Sequence, residues 1–146
     1  MTEKKKARRR SSMEFRRSSL NQVDVRIGDV KVAAEDSMLY TIGLGSCVAI
    51  ALYDPRKKVG GLAHAMLPTP GNGRKDAPPG RFAETAVVEL LRLMEEEGAD
   101  RSRLRARLAG GASMFRDVLE GDGLRLARRN VEAAHAGLEE AGIAVE

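Results

Sequence analysis

Cysteine is nearly absent. The chain has one, Cys47, so no intramolecular disulfide can form, in keeping with a reducing cytoplasmic setting. Histidine is almost as scarce, with two residues, and these three side chains form no cluster at metal-ligand spacing. Neither a metal nor another cofactor is therefore expected. Tryptophan is missing, and there are only three Phe and two Tyr. No stretch approaches the roughly 20 apolar residues of a membrane-spanning helix, and the N-terminal region lacks the apolar segment of a signal peptide.

Positive charge is plentiful but unevenly spread. Residues 1–20 hold eight Lys or Arg against Glu3 and Glu14, a net of +6, while the whole chain carries +4. The rest of the chain is thus slightly acidic, at −2. Residues 1–21 read as a disordered basic arm and 22–146 as one domain. The arm is either a solvated extension or drawn to an anionic surface such as lipid or nucleic acid. Phe15 is its only aromatic, so the stacking platform of a single-strand binder is missing.

What the chain does contain is a chemistry-bearing stretch from Thr41 to Pro68. Two apolar runs, 47–53 and 59–67, flank Asp54-Pro55-Arg56-Lys57. Runs of this length between turn residues predict a β-hairpin, with Asp-Pro at the first two positions of a type I turn. If 54–57 form a four-residue loop, Tyr53 pairs with Lys58 and Cys47 falls opposite His64. Opposed residues share a face, with Cβ atoms about 4.5–5.5 Å apart.

A thiol and an imidazole so placed can exchange a proton, which is what makes a thiolate nucleophile. Taken singly, a lone cysteine is more often a small core residue and a lone strand histidine a structural one. It is the pairing that points to chemistry. Gly43 and Gly45, just before Ser46-Cys47, leave two readings open. They mark a kink at strand entry, or they leave backbone N–H groups around Gly45 and Ser46 aimed at a developing oxyanion.

Around this stretch the elements alternate. Val23, Val25, Ile27, Val30 and Val32 alternate with polar residues about Gly28-Asp29, the pattern of a half-buried strand with a bend or bulge. Residues 38–44 predict another strand. Thr69–Arg81, dense in Pro, Gly and charge, is a loop expected to border the substrate. Phe82, Ala83, Ala86, Val87, Leu90, Leu91 and Met94 recur with helical period, and Gly98 supplies a stop. Arg103, Arg105 and Arg107 alternate with apolar residues, predicting a strand with a solvated arginine face. Leu124, Ala127, Val131, Ala134, Leu138 and Ala141 form the stripe of a last helix. Arg129 and Asn130 lie at its flank, and His135 beside it is read as structural or exposed.

The residues also carry a resemblance. Thr41-x-Gly-x-Gly-Ser-Cys-Val-Ala, Asp54-Pro55, and Gly60-Gly61-x-Ala63-His64-x-Met66-Leu67-Pro68 resemble the signature of CheD, the chemoreceptor glutamine deamidase family. The likeness continues in Phe82–Val87, Gly110–Phe115 and Arg129-Asn130-Val131, colinear over roughly 24–146. It implies an α+β fold, a β-sandwich-like mixed sheet core with flanking helices, of the CheD-like cysteine hydrolase type. It places Cys47 on the nucleophile, His64 on the general base and Thr41 on the residue that orients the imidazole. Read from the residues alone, Thr41 is only a good strand former.

The implied reaction is hydrolysis of receptor glutamine side-chain amides to glutamate, with receptor methyl esters as a side activity. The implied partners are methyl-accepting chemotaxis receptors and a CheC-type phosphatase, and the implied setting is cytoplasmic. Family members commonly continue beyond the position of Glu146 into a closing pair of strands. The 22–146 domain is thus a short form or an incomplete one lacking those strands. A second reading is a non-catalytic chemotaxis adaptor that binds receptors or the phosphatase. A third, nucleic-acid binding through the basic arm, predicts steep salt dependence.

Overall fold

The computed structural model describes residues 20–71, 76–111 and 122–146. The basic arm and Ala112–Phe115 therefore lie outside the described residues, apart from the last two positions of the arm. The strands are β1 (Asn21–Asp24), β2 (Val30–Ala33), β3 (Ser37–Tyr40), β4 (Val48–Asp54), β5 (Val59–Ala65) and β6 (Arg105–Gly110). The helices are α1 (Ala83–Glu96) and α2 (Asp122–Glu140). An antiparallel sheet runs β2-β5-β4-β6, and β1 pairs with β3 in parallel as a separate two-stranded sheet. This is a mixed α/β architecture, a central sheet with flanking helices.

Alternation along β4 and β5 decides which layer lies where. Val48, Ile50 and Leu52 of β4 and Val59, Ala63 and Ala65 of β5 pack into one core with Ala86, Val87, Leu90 and Met94 of α1 and Ala134 and Leu138 of α2. Gly61 allows α1 to sit close, because a Cβ there would lie 2.7 Å from Leu90 Cδ1. Gly60 points the other way, toward Tyr53. The β1–β3 pair covers that second face, and an open cleft of about 560 Å³ runs between Ser37–Leu39 and Ala51, Tyr53, Gly60 and Leu62. The result is a three-layer order: β pair, sheet, helices.

Both helices end in the same way. Gly98 follows α1 with φ +87°, Gly98 N–H donating to Glu95 and Ala99 N–H to Met94. Gly142 follows α2 with φ +75°, and the Gly142 and Ile143 amides donate to Glu139 and Leu138. This is the Schellman pattern, which needs a left-handed residue at the first position past the cap. It turns Ala99 and Ile143 back into the core, where both are buried. Val145 then forms a parallel bridge with Ala106, so the last residues lie along the β6 edge.

Four expectations are corrected. Residues 23–32, expected as one bent strand, form β1 and β2 in separate sheets because the turn at Arg26–Asp29 interrupts them, and the strand expected over 38–44 is β3, which ends at Tyr40. The hairpin closes on Asp54↔Val59, with Tyr53 opposite Gly60 and Ala49 opposite His64. Asp54 is the last strand residue and not the first loop residue, because its buried carboxylate accepts from the Arg56 and Lys57 amides. The loop is therefore 55–58, closed by Lys58 N–H to Asp54 O with Lys58 at φ +56°. The register moves by two residues, which preserves each side chain's face.

The three arginines likewise do not form one solvated face. Arg103 sits in a 3₁₀ turn, Arg101–Arg103, and gives two guanidinium bonds to buried Asp54. Only Arg105 and Arg107 project from the exposed side of β6, each 3.7 Å from the Glu146 carboxylate.

Candidate active site

His64 is positioned first by its backbone. The β2–β5 ladder ends with an extra residue: Gly28 N–H donates to His64 O at 2.7 Å, and His64 N–H donates to Asp29 O at 3.1 Å. Two residues thus oppose one, a bulge whose first member is glycine at φ +85°. The same glycine is the third residue of a turn closed by Asp29 N–H to Arg26 O at 2.9 Å. Positive φ at that place is the type II requirement. The pattern around Gly28-Asp29 thus marks the point where the sheet aims its histidine.

The ring is then fixed by a chain of hydrogen bonds from the second face. Thr41, just past β3, donates its single hydroxyl proton to the Val25 carbonyl at 2.5 Å. Its oxygen lies 2.8 Å from His64 Nδ1. With that proton engaged, the oxygen can only accept, so Nδ1 carries the hydrogen and Nε2 presents its lone pair. Nε2 is buried and makes no hydrogen bond among the described residues. Burial holds the ring's pKa below its ordinary 6.5, opposed by the Val25 carbonyl and the charge of Asp29. This nitrogen is therefore an available base.

Cys47 stands at the entry to β4. Extending the ladder one step beyond Val48↔Ala65 sets Cys47 opposite Met66, two positions along from His64. By alternation the two residues share the face away from the helices. Their relation is diagonal and not the direct opposition expected from the sequence, and no hydrogen bond joins the Cys47 thiol to His64 Nε2 among the described residues. The thiol is partly exposed, and burial raises its pKa above the ordinary 9.0, partly offset by its own backbone N–H.

The segment before Cys47 is a tight turn. Cys47 N–H donates to Leu44 O at 2.6 Å, Gly45 has φ +44°, and Ser46 keeps a negative φ, which is the type II′ arrangement. The Cys47 amide is therefore engaged, whereas the Gly45 and Ser46 amides have no acceptor among the described residues. Gly111 N–H donates to Cys47 O at 2.8 Å, and a Cβ on Gly110 would strike that carbonyl. Glycine at the end of β6 thus permits the backbones to meet behind the cysteine.

One contributor was only half visible in the sequence. Asn130 of α2 is fully buried, and its Nδ2 donates to Ser46 O at 2.9 Å and Met66 O at 3.0 Å. Its signal is a polar side chain beside the stripe residues Ala127, Val131 and Ala134. Arg129 and His135 are exposed. From the Thr69–Arg81 loop, Arg81 O accepts from the Met66 and Leu67 amides, and Gly80 packs against Gly28 O. The base of that loop thus braces both sides of His64.

A family model described as "CheD chemotactic sensory transduction" matches residues 66–146. Among curated proteins, a probable chemoreceptor glutamine deamidase CheD of Archaeoglobus fulgidus is 46% identical over 125 residues, covering 86% of this chain and 77% of that protein. The chemoreceptor glutamine deamidase CheD of Thermotoga maritima is 44% identical over 119 residues, covering 82% of this chain and 72% of that protein. A probable chemoreceptor glutamine deamidase CheD of Clostridium novyi is 42% identical, covering 86% and 79%. Matches of that extent necessarily run across residues 41–64.

Proposed function

Because the chain belongs to the CheD family, we propose that it is a chemoreceptor glutamine deamidase, with Cys47 as nucleophile, His64 as general base and Thr41 as the residue that orients the imidazole. The observation that supports this reading is the Val25–Thr41–His64 hydrogen-bond chain, which leaves Nε2 as a buried acceptor with no partner among the described residues.

The steps follow from the resting charges. As the glutamine carboxamide seats, the Cys47 thiol proton passes to Nε2 and Sγ attacks the amide carbon. The imidazolium is steadied by Thr41, which accepts from Nδ1. The Gly45 and Ser46 amides are the donors nearest the nucleophile for the oxyanion, Cys47 N–H being held by Leu44. Collapse breaks the C–N bond, and the imidazolium gives its proton to the departing ammonia. Water, deprotonated by the neutral Nε2, then cleaves the thioester to give glutamate and the thiol. Receptor methyl esters fit the same sequence, with methanol as leaving group.

The substrates are the cytoplasmic parts of methyl-accepting chemotaxis receptors, and a CheC-type phosphatase is the partner in regulation. No helix among the described residues is long and apolar enough to cross a membrane. The test is intact-mass spectrometry of a receptor cytoplasmic fragment incubated with the protein and with Cys47→Ala. A gain of about one mass unit per converted glutamine from the wild type alone is expected for amide hydrolysis. No gain with folded wild type would replace this reading with a binding-only adaptor.

A further inference from the structure

We propose that Asn130 is a positioning residue for the deamidation reaction, locking the cysteine turn and the end of the histidine strand to one another. The inference rests on the proposed reaction for its activity readouts and on the structure for its geometry.

The Ser46 carbonyl belongs to the same peptide unit as the Cys47 amide. A donor on that oxygen fixes the plane from which Cys47 projects. Met66, the other acceptor, lies one residue past the end of β5 and two residues beyond His64. One amide nitrogen therefore spans the two segments that carry nucleophile and base, with bonds of 2.9 and 3.0 Å. Both acceptors are carbonyls, so the amide nitrogen and not its oxygen faces them, and Oδ1 is buried with no partner among the described residues.

Stability alone does not explain the residue. Asparagine is a weak helix former, and the site borders an apolar stripe where a leucine would extend the core. Nor is the tie provided elsewhere by a ladder. Residues 46 and 66 both lie beyond the paired ends of β4 and β5, where Val48↔Ala65 is the last hydrogen-bonded step. Among the described residues, the other hydrogen bonds at the cysteine turn are Cys47 N–H to Leu44 O, within the turn itself, and Gly111 N–H to Cys47 O.

The test uses the full chain with Asn130→Leu, Asn130→Thr and Asn130→Asp. Leucine keeps the volume and no donor, threonine keeps one donor, and aspartate keeps the shape but donates only when protonated. Expected are a kcat loss of about 10²-fold for Leu with little change in KM, a misplacement effect, and a smaller loss for Thr. For Asp, the buried carboxyl has a raised pKa, so kcat falls as pH rises through it, a limb absent from the wild type. Iodoacetamide alkylation of Cys47, followed by mass, is the readout independent of receptor, and for the Asp variant it should show the same added pH limb.

Wild-type kinetics and alkylation in a folded Leu variant would overturn the proposal. If Leu does not fold, an Asp variant without the added limb overturns it equally. A wild type that deamidates nothing while position 130 still governs alkylation would sink the deamidase reading and leave the positioning role standing.

Discussion

His64 is held below its ordinary pKa of 6.5 and Cys47 above its ordinary 9.0, so between those values both rest uncharged. On the proposed mechanism, therefore, the pair is not a preformed thiolate–imidazolium, and the thiol proton would move as substrate seats. Two outcomes follow. The acid limb of kcat/KM should have an apparent pKa below 6.5, and a limb above 7 would contradict the burial of the ring. Alkylation of Cys47 in the absence of receptor should climb through pH 9 and not plateau near neutrality. Stability has the corresponding sign. Above pH 6.5 the ring is neutral in folded and unfolded chains alike; below it the unfolded ring protonates first, so stability declines as pH falls toward the lower folded value. Thr41→Val keeps the side chain's shape and removes the hydroxyl. It should lower kcat by at least about 10²-fold, the low end for a positioned acid–base group, with receptor binding unchanged in a direct binding measurement.

At the scale of elements, glycine contacts join the histidine strand to its surroundings. Gly80 sits against the carbonyl of Gly28, the residue whose positive φ makes the bulge opposite His64. Gly80→Ala must push either the loop or the bulge. It should destabilise by about 1–3 kcal/mol, as overpacking does, and lower kcat as the imidazole shifts, both measurable by chemical denaturation and steady-state rates. The hairpin has a separate anchor in Asp54, whose carboxylate is held well below the usual range chiefly by Arg103 and then by the Asp100, Lys57 and Arg56 amides. Its contribution is present above pH 3.8 and is lost as pH falls toward the depressed value. Asp54→Ala should therefore lower Tm at pH 7 more than at pH 2.

These anchors also show where the sequence was legible. The α1 face was plain, since Ala83, Ala86, Val87, Leu90, Leu91 and Met94 are all buried as their period required. The bend at Gly28-Asp29 was visible as a broken alternation. The hairpin register was not, because Asp54-Pro55 suits a turn that begins at Asp54 as well as one that begins after it, and the carboxylate's pairing with Arg103, 49 residues away, is invisible locally. The same distant pairing took Arg103 out of the apparent arginine face. For Thr41, local sequence offers a strand former and nothing more. Its proposed role rests on a carbonyl 16 residues back and a ring 23 residues ahead.

Over the whole molecule, the sheet edge at β6 is covered by the chain's own last residues. Glu146 N–H donates to Ala106 O, and Ile143 is buried below that strand. Removing 143–146 should destabilise by about 1.5–3 kcal/mol, the worth of burying one isoleucine. It should also expose an unpaired strand edge, which favours self-association, detectable by light scattering.

The Asn130 bridge has a consequence in time. Its two acceptors lie 84 and 64 residues earlier in the chain, and contacts that close such long loops form late in folding. Synthesis delivers α2 after the six strands described above. A growing chain can therefore pair the cysteine and histidine strands well before the clamp between them exists, and on the proposed reading the reactive geometry would be completed only when α2 docks.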